Sequence, residues 1–128
     1  MLEFLVVGIG GFVGSCSRFA LTKSMNHFAV SLPFGTLISN VIAGLLIGFF
    51  IGLEASAVSL SPRAKLFLTT GLCGGLSTFS TFSLETVILF SGGKYFVAVL
   101  NILLNLGISI LGVVVGMVLA KTLFNRIK

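Results

Sequence analysis

Gly74-Gly75-Leu76-Ser77-Thr78-Phe79-Ser80-Thr81-Phe82-Ser83 lies inside residues 64–90, a segment otherwise apolar enough to cross a membrane. Two adjacent glycines and five hydroxyl residues are a poor way to continue a helix through lipid. A helix break at that depth leaves backbone N–H and C=O groups that hydrocarbon cannot satisfy. Irregular backbone is tolerated there only when it is buried in protein or lines a water-filled path. The run therefore marks a site, and its donors suit one that handles ions.

Composition supplies the membrane. The chain has 128 residues, of which 56% are hydrophobic and only 9% charged, with a mean hydropathy of +1.20. A soluble domain carries about 25% charged residues, so the deficit excludes an ordinary soluble core. Four segments reach the length of about 20 residues that a span needs: residues 2–21, 34–53, 64–90 and 95–123. Pro33 suits the start of the second. The connections are short, so the chain reads as one all-α, four-span membrane domain without a linker. As a straight helix the third segment would measure about 40 Å against a hydrocarbon core of about 30 Å. A break near residues 74–78 divides it into two half-helices.

Other features are quieter. Gly10 and Gly14, then Gly44, Gly48 and Gly52, then Gly112 and Gly116 recur every four residues. Such small-xxx-small faces let helix backbones approach closely, without saying which helices touch. No strand precedes these glycines, which excludes a nucleotide-binding loop. Cys16 and Cys73 fall in apolar segments and read as small hydrophobic residues. Glu3 near the start, with no basic n-region, argues against a signal peptide. The formal net charge of +5 lies mostly near segment ends, as headgroup contacts would, and no basic cluster suggests nucleic acid. With four spans, Arg63, Lys65, Lys121, Arg126 and Lys128 share one side, against Arg18, Lys23 and Lys94 on the other. Lys/Arg bias orients membrane proteins, and a bias this small leaves both orientations open, including antiparallel dimers. Four short helices hardly enclose a pore alone, so an oligomer is expected.

Polar residues within spans are costly and tend to be functional. Here they are Asn40, Glu85 and a stripe of Asn101, Asn105 and Ser109 at i, i+4 and i+8. Paired carboxylates are absent, the single His27 lies in a loop, and no Ser sits near a candidate base, so catalysis finds no support. Amides, hydroxyls and freed N–H groups are donors and suit an anion. Phe79 and Phe82, three apart, share a helical face, and aromatic ring edges are positive; ordinary packing explains such a pair equally well. Carbonyls grouped at a break suit a hard cation.

Gly74 to Glu85, with Gly35-Thr36-Leu37-x-x-Asn40 and Gly14-x-x-x-Arg18, closely resembles the signature of the Fluc/CrcB fluoride channels. The resemblance covers the whole chain. It implies an antiparallel, dual-topology homodimer in a prokaryotic inner membrane. The dimer would pass fluoride down its gradient, exclude chloride and confer fluoride resistance. It implies that Asn40, Phe79, Ser80, Thr81, Phe82, Asn105 and Ser109 line the fluoride path. It further implies that the backbone carbonyls of Gly74 and Ser77 from both subunits hold a structural Na⁺. Val113 stands where the family continues its polar track. Arg18 matches a basic vestibule residue, and a snorkelling headgroup contact describes it equally well. Two other readings stand beside this one. A proton-coupled small multidrug exporter also has four short spans, but it carries an acid in mid-span one, where this chain has only Glu3 at the start. A structural membrane subunit would transport nothing.

Overall fold

The computed structural model describes residues 1–25, 32–56 and 58–124, and those residues form an all-helical protein. His27, Arg126 and Lys128, used above in the loop and charge readings, lie outside the described residues. Helix α1 covers Leu2–Met25 and α2 covers Phe34–Ala55. The third span, Pro62–Ser91, is composite. It contains α3 (Pro62–Lys65), a π-helical segment (Leu66–Cys73), a single turn α4 (Gly74–Leu76) and then α5 (Phe79–Ser91). Helix α6 runs over Tyr95–Phe124. Four of these stretches are long and apolar enough to cross a membrane. The third has the lowest mean hydropathy, 1.3 against 2.5 for the fourth, because it carries the hydroxyl run.

Local chemistry sets the ends. The Ser61 side chain accepts the Ala64 N–H and Pro62 opens the first turn, a standard N-cap with proline where a donor is dispensable. Thr78 caps α5 by accepting the Thr81 N–H at 3.2 Å. Between α5 and α6 the chain reverses through Gly92 and Gly93. Gly93 takes φ +73°, a conformation that glycine adopts without steric cost. The ion pair between Lys65 and Glu54, 2.8 Å long, joins the last turn of α2 to the last residue of α3; it is largely exposed and adds little stability.

The glycine faces find definite partners. Gly10 and Gly14 of α1 meet Gly71, Leu72 and Gly75 of the third span backbone to backbone. A Cβ at Gly10 would lie 2.5 Å from Phe67 O, and one at Gly75 would lie 2.5 Å from Gly11 O. Gly44, Gly48 and Gly52 of α2 meet Ser109, Val113 and Met117 of α6, while Gly112 and Gly116 return the contact to Val41 and Leu45. Two close helix pairs result, α1 with the first half of span three and α2 with α6. Their outer faces are apolar: Phe4, Phe12 and Phe19 on α1, and Leu103, Ile110 and Leu111 on α6, are exposed. That suits a lipid surrounding rather than water. Cys73 is buried and Cys16 lies on the exposed side of α1.

Candidate functional site

The third span loses helical geometry for two residues. Ser77 (φ −77°, ψ 155°) and Thr78 (φ −152°, ψ 119°) are extended. Gly74, by contrast, keeps helical angles. The glycines are thus helical and make the close contact with α1, while the hydroxyl residues after them leave the helix. In an unbroken helix the Thr78 N–H would bond the Gly74 carbonyl four residues back. It instead donates to Asn40 Oδ1 at 2.8 Å, which leaves Gly74 O without that partner.

Asn40 of α2 is the side chain that holds this backbone. Its Oδ1 accepts from Thr78 N, and its Nδ2 donates to Thr78 O at 3.3 Å and to Asn105 Oδ1 at 2.9 Å. One amide side chain therefore pairs with both polar groups of one extended residue, as a neighbouring strand would. Asn105 Nδ2 in turn donates to Asn101 Oδ1 at 2.9 Å and to Asn101 O at 3.2 Å. Asn101 Nδ2 donates to Thr86 Oγ1 at 2.9 Å, and Thr86 Oγ1 donates to Phe82 O at 2.8 Å.

Beside the extended residues lies a cavity of about 390 Å³, bounded by α2, the third span and α6. Its walls include Asn40, Gly74, Ser77, Thr78, Phe79, Phe82, Asn105, Ser109 and Val113. The fold thus gathers Asn40, Phe79, Phe82, Asn105 and Ser109 from three separate spans around one space. Gly74 and Ser77 reach the same space. Ser109 Oγ is buried there without a hydrogen-bond partner, so its O–H is available as a donor. Phe79 and Phe82 stand 5.6 Å apart, centroid to centroid. They differ sharply in exposure: Phe82 is 7% exposed and Phe79 is 73% exposed.

Ser80 and Thr81 do not line the cavity. Their hydroxyls cluster with Thr78 Oγ1 at 3.3 and 3.0 Å in the first turn of α5. Arg18, half-buried, points inward: its Nε donates to Gly75 O at 3.1 Å. That contact satisfies a carbonyl orphaned where α4 ends and places a cation at a helix C-terminus. Glu85 sits one turn beyond Thr81, and its Oε1 accepts from Thr36 Oγ1 at 2.7 Å. Its other oxygen is buried without a hydrogen-bond partner.

Sequence reasoning gave no role to Thr78, Thr86 or Asn101. Thr78 was legible as an N-cap, a threonine directly before the helical run. Asn101 stood on the polar stripe, but its partner Thr86 lies on another span, and no periodicity joins them.

The family described as CrcB-like protein, Camphor Resistance (CrcB), matches residues 5–117. A protein of Clostridium perfringens named fluoride-specific ion channel FluC is 45% identical over 125 residues, 97% of this chain and 98% of that protein. Proteins of the same name from Ruminiclostridium cellulolyticum and Pyrococcus furiosus are 46% and 44% identical. They cover 96% and 93% of this chain and 95% and 96% of their own lengths.

Proposed function

This chain belongs to the CrcB-like family, and from that premise we propose that it is a passive fluoride-selective channel. Its similar relatives are named as ion channels, and it is a multi-pass membrane protein rather than an enzyme. The observation that carries the proposal is the extended pair Ser77-Thr78, held by Asn40 at the wall of the cavity. Fluoride holds its hydration water tightly, and a path through lipid has to replace that water with donors. The cavity offers the unpartnered Ser109 hydroxyl. It also offers the Asn40 N–H now spent on a long 3.3 Å bond and the edges of Phe79 and Phe82. Asn105 shares the wall with Asn40, and the Ser80 and Thr81 hydroxyls gather at Thr78 Oγ1 next to the extended backbone. Cations find no carboxylate on these walls, which favours the anion. HF crosses membranes neutral and dissociates in a less acidic cytoplasm, so a cell needs an exit for F⁻. The proposal extends to fluoride resistance as the cellular role and to a prokaryotic inner membrane as the place.

Purified protein in liposomes loaded with fluoride should release it, with little release of chloride under the same gradient. Folded protein that releases no fluoride would sink the reading.

We further propose that the working unit is an antiparallel homodimer and that the third span acts as two half-helices. Phe79, 73% exposed beside the cavity, suits a wall that a second copy completes. The carbonyl of Gly74, which has lost its helical partner, and that of Ser77 at the extended backbone are hard oxygen donors of the kind Na⁺ takes. Two carbonyls do not surround an ion, so a shared Na⁺ needs the same pair from a second copy. A bound Na⁺ would supply positive charge there and hold the two subunits in register. Two measurements on reconstituted channels and native membranes test these parts. A C-terminal tag should be labelled from both membrane faces, and labelling from one face alone refutes the antiparallel arrangement. Replacing Na⁺ with a large organic cation should lower efflux, and indifference refutes the ion site.

A further inference from the structure

We propose that Asn101 and Thr86 are positioning residues that fix the polarity of the Asn40 amide, so that it presents N–H rather than C=O to the cavity; the inference rests on the fluoride-channel reading. Neither residue lines the cavity. Asn101 is fully buried and Thr86 is 7% exposed.

Five hydrogen bonds run in one direction through the protein. The Thr78 N–H donates to Asn40, Asn40 to Asn105, Asn105 to Asn101, Asn101 to Thr86, and Thr86 to Phe82 O. Each asparagine in the series accepts through Oδ1 and donates through Nδ2. Both ends are backbone groups whose roles cannot reverse: an N–H only donates and a carbonyl only accepts. An asparagine can turn its amide over, and a threonine can rotate its hydroxyl. In this series none can do so alone, because two like groups would then face each other. Aligned bonds of this kind also polarise one another and strengthen.

The two ends differ in what can disturb them. Thr78 N–H sits on extended backbone at the cavity wall, where a passing anion competes for it. Phe82 O lies within α5 and is already claimed by the buried Thr86 hydroxyl. When an anion draws on Thr78 N–H, the near anchor weakens. The far anchor then keeps Asn105 Oδ1 toward Asn40 and hence Asn40 Nδ2 in place. Asn40 can exchange its long bond to Thr78 O for the ion without turning an oxygen toward it. Two residues outside the cavity thereby decide which atom of Asn40 the ion meets.

The test uses the full-length protein in liposomes, with initial fluoride efflux measured over a range of internal fluoride concentrations. Thr86→Val keeps the shape and removes the hydroxyl. It should raise the half-saturating fluoride concentration roughly five- to tenfold, the range of one oriented hydrogen bond. Thr86→Ser, which restores the hydroxyl, should return it to the wild-type value. A purely packing role would lower folded yield or maximal rate and leave half-saturation where it was. That result, with wild-type efflux intact, overturns the relay alone; absent wild-type efflux overturns the functional reading and this inference with it. A second measurement needs no variant. In wild-type protein the Asn101 and Asn105 side-chain amides should exchange with deuterated water as slowly as α6 backbone amides. Exchange within minutes overturns the relay.

Discussion

Asn40→Leu is expected to abolish fluoride efflux from liposomes while the protein still folds and inserts. Leucine has nearly the shape of asparagine and none of its polar atoms. Three groups lose a partner at once: Thr78 N, Thr78 O and Asn105 Oδ1. Each polar group left unsatisfied away from water costs about 1–3 kcal/mol. The chain has a cheap way to recover part of that loss. Thr78 N–H can return to the Gly74 carbonyl four residues back, which extends the α4 helix through Ser77 and Thr78. The span then straightens, Gly74 O ceases to be a free acceptor, and Phe79 swings away from Phe82. Fluoride efflux at least a hundredfold below wild type is expected, an order of magnitude consistent with about 3 kcal/mol on the conducting geometry. Efflux within twofold of wild type would show that Asn40 does not hold the path. Asn40→Asp separates two parts of the role. It keeps an acceptor for Thr78 N–H, so the extended residues should persist, but it removes the donor and sets a negative charge at the cavity wall. It too should fail to conduct, and its melting temperature should fall below wild type, because the carboxylate meets two acceptors, Thr78 O and Asn105 Oδ1, with no donor between them.

The second large effect is on folding. Gly14→Ala should leave little monodisperse protein in detergent, whereas Gly8→Ala on the same helix should behave as wild type. A Cβ at Gly14 would overlap the Leu72 carbonyl and lie 2.8 Å from Leu76 N, both backbone atoms of the third span. Backbone cannot rotate away as a side chain can, so the two helices must separate. Overpacking of this sort costs about 1–3 kcal/mol and more where backbone must shift. A Cβ at Gly8 meets nothing within 4 Å. Gly48→Ala tests the other pair in the same way, since its Cβ would overlap the Val113 carbonyl and lie 2.8 Å from Val113 C. Equal melting temperatures for Gly8→Ala and Gly14→Ala would mean that α1 does not pack on the third span as described.

Much of the site was legible because each signal was local. Gly74 to Ser83 announces trouble for a helix in lipid by composition alone, and the spacing of Asn101, Asn105 and Ser109 places three polar groups on one face. What each group does was less legible. Ser80 and Thr81 have the right chemistry for a path, yet their hydroxyls turn to Thr78. Arg18 reads as a headgroup contact or an anion lure, yet its Nε bonds Gly75 O. These outcomes depend on which acceptor comes within 3.3 Å, and one strand of text does not contain that distance.

The amino-acid sequence by itself determined that this is an all-helical membrane protein with four segments able to span. It also determined that polar chemistry concentrates in the third of them, because hydropathy and helical period are properties of consecutive residues. Only the tertiary structure decided that α1 pairs with the first half of span three and α2 with α6, since a glycine face fits any smooth partner. It alone placed the extended backbone at Ser77 and Thr78 rather than at the glycines. The physical reason is competition for one donor: Thr78 N–H has an acceptor in its own helix and a second in Asn40. The second wins because α2 and α6 hold Asn40 and Asn105 against it.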